Sequence, residues 1–166
     1  MSPFQKIDLC CYNSFMNNLS HIEKFLNKHG FSVKEYTSIS IKIDFLENSE
    51  VYKAQEEYAR LRKEAENTDN EELQDSLYRN SWEIINNAQK EFLPKLQVIS
   101  DSINSFYQGR KSAYRSLIFL NFSTFELISI SANEDLYDYF KNDNSLLLEI
   151  EKEFQDFDSF LINYNQ

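Results

Sequence analysis

Ser38-Ile39-Ser40-Ile41-Lys42-Ile43-Asp44-Phe45 alternates polar and apolar residues without a break. Successive side chains of a strand point to opposite faces, so Ile39, Ile41, Ile43 and Phe45 line one apolar face and the serines, lysine and aspartate the other. That pattern describes a strand with one side buried. A strand needs neighbours to be stable in water. Phe31 and Val33 lie close enough upstream to begin the strand early or to form a hairpin partner. Downstream, Leu117-Ile118-Phe119-Leu120 and Phe125-Glu126-Leu127-Ile128-Ser129-Ile130 read as two strands joined near Ser123-Thr124, or as one buried helix, because a continuous apolar run carries no period. The need of 39–45 for a partner selects the strands.

The remaining segments have helical period. Ser2-Pro3-Phe4-Gln5 is a helix start, and Phe4, Ile7, Cys11, Phe15, Leu19, Ile22 and Leu26 continue in steps of three and four towards Gly30, a left-handed C-cap. One helix over about 3–29 is expected, unless Asn13-Ser14 interrupts it. A second helix follows from Glu47 to about Glu66, with Val51, Ala54, Tyr58, Leu61 and Ala65 on one side and the i,i+4 pairs Glu56–Arg60, Arg60–Glu64 and Arg62–Glu66 outside. Thr68-Asp69-Asn70-Glu71 offers a capping box for a return helix carrying Leu73, Leu77, Ile84, Ala88 and Phe92. Pro94 kinks or restarts it before Gly109, a second C-cap. Asn133-Glu134-Asp135 caps a short helix to about 142. A last helix, from Asn144 or Ser145 to about Tyr164, has the stripe Leu147, Ile150, Phe154, Phe157, Leu161 and Tyr164.

The fold expected is helix-rich α+β: long amphipathic helices, with a central helical hairpin at about 47–108, packed on a small antiparallel β-sheet. The alternative is an all-α bundle. A chain of 166 residues with no linker is read as one domain.

Two glycines and two prolines exclude most chemistry built on tight turns: the chain has no glycine-rich phosphate loop and no strained turn to present a nucleophile. His21 and His29 are the only histidines. On one helix they stand about 12 Å apart along the axis, too far to share a metal, and are read as surface residues. The adjacent Cys10 and Cys11 are read as free thiols, out of hydrogen-bond reach of either histidine. No enzymatic activity, cofactor or metal is expected.

The net charge of −10 is unevenly distributed. Residues 47–108 hold thirteen acids against seven bases, and residues 133–166 nine acids against two lysines. Such a surface is repelled by nucleic acid and anionic membrane. The opening residues lack a signal-peptide pattern and no apolar run is long enough to cross a bilayer, so a cytoplasmic location is expected. Asparagine-rich, lysine-over-arginine usage suggests an AT-rich genome, bacterial or phage.

Three surfaces remain. On the last helix Glu149, Glu153 and Asp156, with Glu151 and Asp158 alongside, are expected to form an acidic ridge mainly opposite the Phe154–Phe157 stripe, able to engage a basic cleft; an ordinary solvated face has the same pattern. Tyr137, Tyr139 and Phe160 are candidate aromatic anchors, with core packing the competing role. The basic patch Arg110, Lys111 and Arg115 is expected to pair internally with the acidic C-terminal helix. Together these point to a non-enzymatic, acidic protein-binding inhibitor or regulator that occludes a basic partner surface, in the manner of immunity, antitoxin or anti-defence factors. The alternative is a self-assembling structural or adaptor subunit that uses the 47–108 helices.

Overall fold

The alternating stretch forms the second strand of a four-stranded antiparallel sheet. A computed structural model describes residues 19–110, 116–125, 127–133 and 144–164. Strand β1 (Phe31–Tyr36) pairs with β2 (Ser40–Phe45). β2 pairs in turn with β4 (Leu127–Ala132), and β4 with β3 (Ile118–Thr124), giving the order β1-β2-β4-β3. In this register Ile41 faces Ile130 and Ile43 faces Ile128. All four are buried, with Phe31, Phe45 and Ile118 on the same side. A slip of one residue would carry every one of them to the opposite face, so burial fixes the register. The turn into β2 is held by Thr37, whose Oγ1 accepts from the N–H of Ser40 at 3.0 Å. The two downstream segments are strands, as expected, but β3 runs through Thr124 and the turn falls at Phe125, just beyond the expected Ser123-Thr124.

Helix α1 (Ser20–Lys28) ends on Gly30, whose φ of 97° is the left-handed conformation expected there. The part of the expected first helix before residue 19 lies outside the described residues. Helix α2 (Glu50–Glu66) starts on Ser49, whose Oγ accepts from the N–H of Tyr52 at 3.1 Å. Helix α3 (Glu71–Gln108) is capped by Asn70, which accepts from Leu73 at 3.2 Å, in place of the expected Thr68 cap; Thr68 instead braces the turn by accepting from Asn70 at 3.3 Å. Arg60 bridges Glu57 and Glu64 at 3.0 Å each, while Arg62 lies over the rings of Tyr58 and Tyr78 at 5.8 and 4.7 Å, in place of the expected Glu66 pairing.

Helix α3 runs on through Pro94, so the proline does not restart it. Proline in a helix interior costs about 3 kcal/mol. Phe92, Leu96, Ile99 and Ile103 are buried on either side of it. Each contributes about 1.5–3 kcal/mol, so packing outweighs the proline. Gly109 is the C-cap of the helix, as expected, and takes that position in the right-handed region, φ −78°.

With 38 residues, α3 is about 57 Å long. Its C-terminal half lies on the sheet and on helix α4 (Asn144–Tyr164). Its N-terminal half packs along α2 as the arm of a helical hairpin, around a small separate cluster of Leu61, Ala65 and Leu77. α4 packs against α3, through Phe106 and Phe157 at 5.4 Å, against α1, through Phe25 and Tyr164 at 5.9 Å, and more lightly against β3.

Candidate functional site

The expected acidic ridge on α4 is not a ridge. Glu149 is exposed and Glu151 half-exposed, but Glu153 and Asp158 are buried at 6% and 4% exposure. Because α4 packs against both α1 and α3, its buried arc is wider than the single stripe Ile150, Phe154, Phe157 and Leu161. Positions 153 and 158 each neighbour a stripe residue in sequence, about 100° away around the axis, and fall inside that arc.

Each buried acid has a structural task. The Glu153 carboxylate accepts from the guanidinium of Arg110, which also lies 3.5 Å from Asp156 and 4.8 Å from the Phe106 ring centre. The internal pairing expected of the basic patch is therefore made by Arg110; Lys111 and Arg115 lie outside the described residues. Tyr107 joins the group. Its hydroxyl accepts from the N–H groups of Leu117 and Ile118 at 3.0 and 2.9 Å, and the Glu153 carboxylate lies close enough to act on it electrostatically. Burial pushes the Tyr107 phenol up to about 12. The cluster thus ties the end of α3 and the start of β3 to the middle of α4.

Asp158 acts on α1. Leu19, at the N-cap position, supplies no side-chain bond, and the Asp158 carboxylate instead accepts from the Ile22 N–H at 2.8 Å. A carboxylate from another helix thereby satisfies an N-terminal donor of α1 and meets the positive end of its dipole. Burial nonetheless holds the Asp158 and Glu153 carboxyls above the usual carboxylate range, against the opposing pull of Ile22 on the first and Arg110 on the second.

Where the folded value exceeds the unfolded one, the folded chain holds more protons between the two, so stability falls as pH rises across that window. Wild type is therefore expected to gain stability relative to Asp158→Asn as pH is lowered from 7 towards 4. Urea unfolding of both proteins at several pH values checks it; a gap independent of pH contradicts the burial of this carboxyl.

Of the aromatic candidates, Phe160 is half-buried and packs on Phe106 at 5.5 Å and Tyr164 at 5.3 Å, so most of its ring belongs to the core edge. Tyr137 and Tyr139 lie outside the described residues, as does the expected short helix that would carry them. His29 is not the surface residue expected. Its ring packs 4.6 Å from that of Phe25, its Nε2 is buried with no hydrogen-bond partner among the described residues, and burial, then Lys28, lowers its pKa. Among the described residues no group of three or more His, Cys, Asp or Glu is placed to hold a metal ion, and no helix is long and apolar enough to cross a membrane.

A different surface emerges on the arm. The row of α3 facing α2 is Leu77, Ser81, Ile84, Ala88 and Phe92, whereas Leu73, expected in that stripe, is 44% exposed. One residue further along, about 100° around the axis, a parallel row runs Tyr78, Trp82, Ile85, Gln89 and Leu93. Trp82 is 56% exposed and Leu93 50%, while Tyr78 and Ile85 are half-buried. The expected stripe of this helix is the first row and does not include the second. The signal was available: the chain's single tryptophan stands at helical spacing from Tyr78, Ile85 and Leu93.

No family model matches this chain, and neither a curated protein nor a solved structure is found to resemble it.

Proposed function

We propose that the chain is a non-enzymatic, cytoplasmic, acidic regulator that binds another protein and occludes a basic surface on it, in the manner of immunity, antitoxin or anti-defence factors. The observation that carries this reading is the division of labour among its acids. Glu153, Asp156 and Asp158 are engaged within the fold, whereas the helical arm belongs to a segment, residues 47–108, with thirteen acids against seven bases and presents the half-exposed Trp82 among them. Acid on an exposed arm speeds encounter with a basic partner, and a desolvated aromatic residue holds the complex once formed. The chain acts by covering its target, with no direct contact to nucleic acid or membrane.

Capture with the tagged chain from its own host at low and high salt tests this. A stoichiometric partner with a basic surface, released as salt is raised, is the expected result. Recovery of the chain alone, with a mass above 19.8 kDa, would instead support a self-assembling subunit; the exposed row on the arm is the observation that favours that second reading.

A further inference from the structure

The geometry points to the Tyr78–Trp82–Ile85–Leu93 row of α3 as a docking strip for one amphipathic helix of a partner protein, apolar on its contact face and flanked by Lys or Arg. This deepens the regulator reading and rests on it. Steps of four, three and eight residues place these side chains along one line of the helix, about 22 Å from Tyr78 to Leu93, the length over which a partner helix presents anchors at i, i+4, i+7 and beyond. The strip lies beside the α2-facing row, so an incoming helix would extend the α2–α3 pair by a third member. α2 reaches this side only at Tyr78, over whose ring Arg62 lies, so Trp82 and Leu93 are the members of the row most open to a partner.

Charge selects the occupant. Glu71, Glu72 and Asp75 form the exposed approach to the N-terminal end of the strip; farther along, Glu83 shares its side of the helix with Arg79 and Lys90, and Glu91 lies on the opposite side, paired with Lys95 at 3.7 Å. A basic flank complements that surface, whereas a second copy would bring two acidic arms together. Size points the same way. A stable protein pair of standard size uses about 20–30 residues a side, far more than a strip of four apolar side chains offers, while a single docked helix needs only a few anchors.

Trp82 is the only tryptophan, so its emission reports on this strip alone. The probe is an amphipathic peptide of about 18 residues with leucines at helical spacing and lysine flanks, a length chosen to span the strip at helical rise. Its twin carries glutamate in place of lysine. Saturable binding of the basic peptide with a blue shift of Trp82 emission is expected, weakening with salt and absent for the acidic twin. By anisotropy of labelled peptide, Trp82→Ala, Leu93→Ser and Asp75→Lys should each weaken binding severalfold, and the first at least tenfold, with melting temperatures unchanged because all three positions are exposed. Equal binding of the two peptides, or undiminished binding to Trp82→Ala, overturns the proposal. So does concentration-dependent dimerisation abolished by Trp82→Ala, which would make a second copy the occupant. If the natural partner is still captured by Trp82→Ala, the regulator reading stands and this strip does not; if no partner is captured by the wild-type chain either, the regulator reading itself fails.

Discussion

Replacing Arg110 by alanine is expected to destabilise the fold by about 3 kcal/mol, because it leaves the Glu153 carboxylate buried beside Tyr107 without its counter-charge. The attraction between the two groups is not what sets this size. Taking both charges out of water is costly, and a buried pair contributes little beyond repaying that cost; removing one partner exposes the desolvation penalty of the other. Two consequences separate this account from a simple loss of packing by the arginine stem. First, Arg110→Ala combined with Glu153→Gln should recover at least half of the loss, since the amide carries no charge to desolvate. Second, the loss from Arg110→Ala alone should shrink as pH falls from 7 to 5, because the unpaired carboxyl can take up a proton. Urea unfolding of the three proteins at both pH values measures all of this. A double variant no more stable than the single one would mean that the arginine acts through its contact with Phe106.

Phe125→Ala is expected to cost about 4 kcal/mol, the loss typical of a fully enclosed phenylalanine. The ring is 2% exposed although it sits in the β3–β4 turn, where chains are normally at the surface. It reaches Phe92 at 5.0 Å, Tyr58 at 5.8 Å and Phe45 at 6.1 Å, and so joins α3, α2 and β2 at one point. Its carbonyl accepts from Gln55 Nε2 at 2.7 Å, fixing the same turn to α2. Truncation would leave a cavity bounded by three rigid elements that cannot close on it. Leu127→Ala, two residues away and 60% exposed, is the matched control and should stay within about 0.5 kcal/mol of wild type. Comparable losses in the two variants would show that the turn is open in solution.

Where local physics alone determines structure, the chain is legible. The alternation at 38–45 marks a strand wherever it lies, Gly30 supplies the positive φ that the end of α1 requires, and the stripe from Ile150 to Leu161 marks the buried side of α4. The helical hairpin could be read for the same reason, from two periodic segments with a capped turn between them. What lies beyond reach is set by distant partners. Ile41 pairs with Ile130 across the whole of α2, α3 and β3, and nothing in either segment records that β4 lies between β2 and β3. Glu153 and Asp158 look like solvated acids from their own helix. Only the presence of Arg110 on one side and the uncapped start of α1 on the other makes them interior groups. Trp82 is the converse case: a residue type that belongs in a core, left outside because α2 covers the neighbouring row.

These two reversals carry the central claim, that the acids of α4 hold the fold while the arm meets the partner. Capture of the natural partner by two charge-reversed chains tests it most directly, one carrying Glu71→Lys with Asp75→Lys on α3 and the other Glu149→Lys with Glu151→Lys on α4. All four positions reach solvent, so both chains should melt like wild type. The account predicts that the α3 pair weakens capture at least tenfold and the α4 pair leaves it within about twofold, the spread expected when steering charges lie outside the contact. Loss of capture by the α4 pair with retention by the α3 pair would contradict it, and would return the binding surface to the C-terminal helix.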